Sequence, residues 1–167
     1  LKHRVVWIDC PPTEEAYYDN HQAEVIHHLL HRLKEVGRIR DLEADVGIVA
    51  PFKAMIKALR HRLEAPFDVV TIDTVERFQG SERKIILMTL PLRDKYDIRS
   101  VESLSDDRHV DRKLNVAISR AKQQLYIIGN INICRNSPHY AFLIDTIRSS
   151  HKVIPSEDII NHQNTRI

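Results

Sequence analysis

DRKLNVAISRAKQQLYIIGN, residues 111–130, reads as a short amphipathic helix running directly into an apolar strand. Asp111 stands where a capping side chain is needed, and Leu114, Ala117, Ile118 and Ala121 recur at i, i+3, i+4 and i+7, a face that should pack on a sheet. Leu125 to Ile128 follow as an unbroken apolar run, the pattern of a strand buried on both sides. A helix feeding a doubly buried strand is the building unit of an α/β fold.

The same alternation extends through the chain. Val5 to Asp9 precedes a helical pattern over Ala23 to Val36, and Val46 to Val49 precedes one over Phe52 to Leu63; Val69 to Ile72 and Ile85 to Leu90 are further strand candidates, and Ala141 to Ile147 a further helix. In the first helix Val25, Ile26, Leu29, Leu30 and Leu33 form an apolar stripe, with Asp19 or Asn20 as cap and Gly37 just past the end. The predicted fold is α/β: a parallel sheet with helices on both faces. One domain is expected over residues 1–167, with 93–110 an exposed connection and 152–167 a C-terminal tail.

A chain of 167 residues with 43% hydrophobic content can bury a sizeable core unaided. Lys and Arg nearly balance Asp and Glu, for a net charge of +2, so any nucleic-acid binding must be local rather than global. Cys10 and Cys134 are far apart in sequence and lack partners at metal spacing, which fits free thiols in an intracellular, reducing compartment. No apolar run approaches the roughly 20 residues that span a bilayer, and no signal peptide is read. The chain opens on Leu1 rather than Met, so a piece of a larger protein is expected, monomeric on its own.

The polar turn TVERFQGSER lies between two apolar runs in Val69 to Thr89. Gln79, Gly80 and Glu82 put an amide, an unobstructed backbone N–H and a carboxylate within four residues, groups suited to a ligand. A solvated loop over a tucked Phe78 is an equally good account. Arg120 and Lys122 end the helix of the opening segment. Periodicity makes them solvated cations at a helix C-terminus; chemistry also lets Arg120 grip phosphate bidentately. Yet the chain's four glycines, Gly37, Gly47, Gly80 and Gly129, form neither G-x-x-x-x-G-K-S/T nor G-x-G-x-x-G, so no phosphate-cradling loop exists. Ligands of parallel sheets gather at the carboxyl ends of strands, which points to Ala50 to Phe52, Asp73 to Glu82 and the Arg112 helix. Trp7, Phe67, Tyr126 and Phe142 are expected in the core; Phe52 is the best stacking candidate, with Tyr17 and Tyr18 ambiguous. His27 and His31, at i, i+4, suit either a metal or a polar helix face, and without a third ligand the latter is the better reading.

VGIVAPFKAMIKALR (Val46 to Arg60), IDTVERFQGSERKIILMTL (Ile72 to Leu90) and RKLNVAISRAKQQLYIIGN (Arg112 to Asn130) resemble, in this order, motifs IV, V and VI of superfamily 1 helicases. The detail F-Q-G-x-E and L-N-V-A-I/L-S/T-R-A is similar to the branch holding the nonsense-mediated-decay helicase, senataxin and the replication helicase-nucleases. More weakly, DNHQAEVIHHLLHRL resembles that branch's N-x-x-E-A segment.

The resemblance implies a second RecA-like domain of an ATP-dependent DNA or RNA helicase, without its own P-loop. It implies that Arg120 is the arginine finger, that Gln79, Gly80 and Glu82 face the nucleotide with Glu82 on the ribose hydroxyls, and that Thr74, Pro51 and Phe52 border a single strand. ATP and Mg²⁺ would be bound mainly by a first RecA-like domain of the same polypeptide, the expected partner together with single-stranded nucleic acid. Ser119 and Asn115 keep the helix pattern, but Ala50 stands where relatives often carry Thr, which removes one hydroxyl contact. The fragment alone should hydrolyse essentially nothing. A stand-alone adaptor with a helicase-like fold is the alternative, though it would have no use for Gln79, Glu82 and Arg120 together.

Overall fold

The computed structural model describes residues 4–78, 81–150 and 152–161. In chain order the elements are β1 (Val5–Asp9), α1 (Asn20–Glu35), α2 (Leu42–Asp45), β2 (Val46–Val49), α3 (Lys53–Arg62), β3 (Thr71–Asp73), β4 (Arg83–Leu90), α4 (Ile98–Val101), α5 (Arg112–Arg120), β5 (Ala121–Gly129), α6 (Ile131–Cys134), α7 (Pro138–Arg148), β6 (Val153–Pro155) and α8 (Ser156–Ile160). Six strands pair in the order β3-β2-β4-β5-β1-β6, every pair parallel. Helices lie against both faces, the α/β arrangement expected.

Strand alternation divides the core into two layers. Val6, Ile8, Ile48, Leu87, Tyr126 and Ile128 project to the face covered by α1, α3 and α8. Val5, Trp7, Val49, Ile86, Met88, Leu125 and Ile127 project to the face covered by α4, α5, α6 and α7. Both sets are buried, which is why these strands read as continuous apolar runs rather than alternating ones.

The helix ends follow the sequence closely. Asp19 caps α1 by accepting from the N–H groups of His21 and Gln22, and Gly37 closes it at φ +72°, a left-handed conformation that glycine adopts without a steric cost. Asp111 caps α5 by accepting from the N–H groups of Lys113 (3.0 Å) and Leu114 (3.2 Å). Gln22, buried on α1, donates to the Leu90 carbonyl at 3.0 Å and accepts from the Thr89 hydroxyl, locking the first helix to the end of β4.

Four expectations are corrected. Phe142 is 75% exposed, because α7 turns Tyr140, Leu143, Ile144 and Ile147 inward at i, i+3, i+4 and i+7; Tyr140 takes the core position instead. The connection 93–110 is not wholly exposed: Ile98 and Val101 of α4 are buried against the α5 side of the sheet. Residues 152–161 are no tail, since β6 pairs with β1 and Ile154 and Ile159 enter the core; 162–167 lie outside the described residues. And β5 begins at Ala121, directly after Arg120, which lengthens that strand toward the helix.

Candidate functional site

The candidate residues divide between two opposite edges of the sheet. Parallel strands all point one way, so the carboxyl ends of β2 and β3 lie on one edge and the amino ends of β4 and β5 on the other. Residues 74–82 leave β3 at the first edge and enter β4 at the second, crossing past β2, which separates those strands. Attention to the carboxyl ends therefore suits Pro51, Phe52 and Thr74 but not Glu82 or Arg120, which belong to the amino edge.

At the carboxyl edge, the Val49–Asp73 register continues in a bond from the Ala50 N–H to the Asp73 carbonyl (3.0 Å), so both strands end side by side there. Phe52 occupies the N-cap position of α3, and its ring meets that of Tyr17 edge-on, centroids 4.9 Å apart at 69°. The Thr74 N–H donates to Asp73 Oδ1 at 2.9 Å. Glu76, two residues on, pairs with Lys113 of α5 at 3.4 Å. Partial burial pushes the Glu76 carboxyl up, but its own backbone N–H, the Lys113 charge and the Thr74 hydroxyl outweigh it and hold the group below its ordinary range.

At the amino edge, Lys122 Nζ lies 3.3 Å from Glu82 Oε2. Arg83 pairs in register with Ala121, which places it beside the end of α5. The Arg4 guanidinium donates to the carbonyls of Ala121 and, at 2.7 Å, Lys122, pinning the turn from α5 into β5. The Nε–H groups of both Arg83 and Arg120 are buried and have no hydrogen-bond partner among the described residues. Several cationic side chains thus lie at this edge, and the Nε–H groups of two of them are unspent. Gln79 and Gly80 lie outside the described residues.

Sequence reasoning left Tyr17 undecided and passed over Arg4 and Arg83. Tyr17 could have been found only through the fold, since it is 35 positions from Phe52 in the chain. Arg83 carries a local signal, an arginine directly after Glu82. His27 and His31 approach each other, Nε2 to Nε2 3.3 Å, with Phe67 against both rings. Burial, then the charges of Arg62, His31 and His28, hold the His27 imidazole below its ordinary value. Among the described residues no group of three or more His, Cys, Asp or Glu could hold a metal ion, and no helix is long and apolar enough to cross a membrane.

A family model described as an AAA domain matches residues 3–132. The DNA replication ATP-dependent helicase/nuclease DNA2 of Homo sapiens is 31% identical over 111 residues, 66% of this chain and 10% of that protein. The DNA polymerase alpha-associated DNA helicase A of Schizosaccharomyces pombe is 33% identical over 115 residues, 68% of this chain and 16% of that protein. A probable helicase of Dictyostelium discoideum is 26% identical over 144 residues, 86% of this chain and 14% of that protein. The chain spans only a small part of the length of each of these relatives.

Proposed function

The chain belongs to the AAA-domain family in its superfamily 1 helicase form, as a C-terminal RecA-like domain, and from that premise we propose that its amino edge supplies Arg120 as an arginine finger while its carboxyl edge forms one wall of a single-strand groove. The parent polypeptide would hydrolyse ATP and move along DNA or RNA.

One observation carries the reading: Arg120 stands at the end of α5 with a buried, unpartnered Nε–H, on the same edge as Glu82. A guanidinium is planar, stays charged, and offers paired donors that match phosphate oxygens. Aimed at a transferring phosphoryl group bound on a facing domain, it stabilises charge that is largest in the transition state. Such a contribution is worth about 10³- to 10⁵-fold in rate. Glu82 would accept hydrogen bonds from the ribose hydroxyls in exchange for its present pairing with Lys122, and Gln79 and Gly80 would face the nucleotide with it.

The remainder of the site would come from a first RecA-like domain. This chain has no phosphate-cradling loop, and its described residues do not form a metal site. ATP and Mg²⁺ would accordingly be bound mainly by that first domain. At the other edge, the Thr74 hydroxyl, Pro51 and Phe52 would border the backbone and bases of one strand. Contacts of that kind position a strand without reading its sequence.

The test is the ATPase of a polypeptide that joins these residues to a nucleotide-binding first domain. Arg120→Ala should lower kcat by about 10³-fold or more, and Arg120→Lys should recover little because the fork geometry is lost. A kcat within a few-fold of the unaltered protein would remove Arg120 from the mechanism. The 167-residue chain alone should show no Mg²⁺-dependent hydrolysis; activity there, lost on Arg120→Ala, would refute the split site.

A further inference from the structure

We propose that Tyr17 is a base-stacking residue of the single-strand wall, forming with Phe52 a two-ring platform at the carboxyl edge. The proposal rests on the reading of that edge as a strand-binding surface.

Tyr17 reaches Phe52 because residues 10–19 are laid across the carboxyl edge. Leaving β1, the segment is tied to the end of β4 by a bond from the Thr13 N–H to the Leu92 carbonyl (3.1 Å), and to α3 by the Asp19 N–H, 3.3 Å from the Met55 sulfur. Thr13 and Asp19 are themselves joined, hydroxyl to carboxylate, at 3.2 Å. The segment is thus anchored at Thr13 and at Asp19, with Tyr17 between them.

Three observations set Tyr17 apart from an ordinary surface residue. Its backbone sits at φ +71°, a conformation that a side-chain-bearing residue seldom adopts, and an aromatic one less readily than Asn or Gly. Its ring packs on Phe52, 4.9 Å between centroids, yet 52% of the residue remains exposed. No hydrogen bond of its hydroxyl is seen among the described residues. Arg108, the other non-glycine at positive φ (58°), differs: its carbonyl accepts from the His139 ring at 3.0 Å. Tyr18, next in the chain, packs against the core.

An edge-to-face pair leaves ring surface open to a third aromatic group, and every base presents a π face of the right size. The charges around the pair are mixed: Lys53 follows Phe52 directly and is exposed, Arg93 is exposed but held by Asp97 at 3.2 Å, and the exposed Glu14 and Glu15 precede Tyr17 on its own segment, so the rings rather than net charge carry the proposal. Thr74, whose hydroxyl is expected on a phosphate, follows Asp73, the register partner of Val49, and its hydroxyl at present supports the Glu76 carboxylate.

An oligothymidylate carrying one 5-iodouracil, irradiated with the 167-residue chain at low salt, should cross-link to Tyr17. Tyr17→Ala should weaken binding of that oligonucleotide by about 5- to 150-fold, the range of one lost base stack, while Tyr17→Phe and Tyr17→Trp keep it. Because the residue is half exposed, all three variants should melt with the unaltered chain. Unchanged affinity in Tyr17→Ala, or loss equal in Tyr17→Phe and Tyr17→Ala, overturns the stacking role. If Phe52→Ala still weakens binding in that case, the strand-binding wall stands without Tyr17. If the unaltered chain does not bind at low salt, both fall together.

Discussion

The ring of Phe78 fills the space in which a side chain at position 47 would begin: a Cβ on Gly47 would lie 2.7 Å from Phe78 Cε1. Gly47 belongs to β2, and Phe78 to the segment that carries the chain across it from one edge to the other. Close approach of the ring to bare backbone is what lets that segment lie flat against the sheet. Arg83 Cγ would lie 3.2 Å from the same Cβ, so a packing detail in β2 also touches the start of β4.

Gly47→Ala should therefore destabilise the domain. Phe78 is 2% exposed and Arg83 Cγ would also be crowded, at 3.2 Å, so the ring cannot simply swing aside. Inserting a methyl into a filled core costs about 1–3 kcal/mol, a fall in Tm of roughly 2–12 °C for a chain of this size. Pairing it with Phe78→Leu should return part of the loss in a double-mutant cycle. Thermal melts in which Gly47→Ala equals the unaltered chain would show that the ring is not confined.

A second prediction concerns acid. Burial raises the Asp45 carboxyl, but a 2.6 Å contact with Lys84 and the backbone N–H groups of Arg40 and Asp41 overcome it and bring the group from its ordinary 3.8 down to about 2. A folded-state value below the unfolded one means that the stabilisation is complete above about pH 4 and is lost as pH falls toward 2. Lys84 lies on β4 and Asp45 just before β2, so the pair clamps two central strands at their amino ends. Chemical denaturation at stepped pH should show a decline across that window, and Asp45→Asn should be less stable at neutral pH and flatter below pH 4. Equal slopes for the two proteins would assign the acid sensitivity elsewhere.

Much of this architecture was legible in the residues, for identifiable reasons. Helices α1 and α5 announce themselves because their stripes recur at 3.6 residues and because Asp19 and Asp111 sit at the cap positions they occupy in space. The central strands are legible because both faces are buried. β6 escaped because a three-residue strand with two apolar residues carries no period, and its place is decided by pairing with β1. Phe142 was misplaced because α7 has apolar residues outside its inward stripe, and only packing reveals which side faces the sheet. The division of the candidate residues between two edges was hidden for a different reason. Sequence order runs smoothly from Thr74 to Glu82, while the chain between them travels the length of a strand. Tyr17 beside Phe52 is a tertiary relationship with no local signature at all.

The final prediction separates the two roles assigned at the amino edge. Glu82, if it accepts ribose hydroxyls, acts on bound nucleotide in ground and transition states alike, whereas Arg120 acts on charge that develops during transfer. Uniform binding appears in KM and transition-state binding in kcat. In the parent polypeptide, Glu82→Gln should raise KM for ATP about 10- to 100-fold, the worth of charge-assisted hydrogen bonds at about 1.5–3 kcal/mol, with kcat changed much less. It should also narrow the difference between ATP and 2′-deoxy-ATP, because the discriminating acceptor is weakened. Lys122→Ala frees the Glu82 carboxylate from its 3.3 Å partner and should leave that difference intact. Should Glu82→Gln lower kcat as Arg120→Ala does while preserving the preference for the ribose 2′-hydroxyl, the carboxylate serves to hold the α5–β5 turn through Lys122, and the ribose contact must come from another residue.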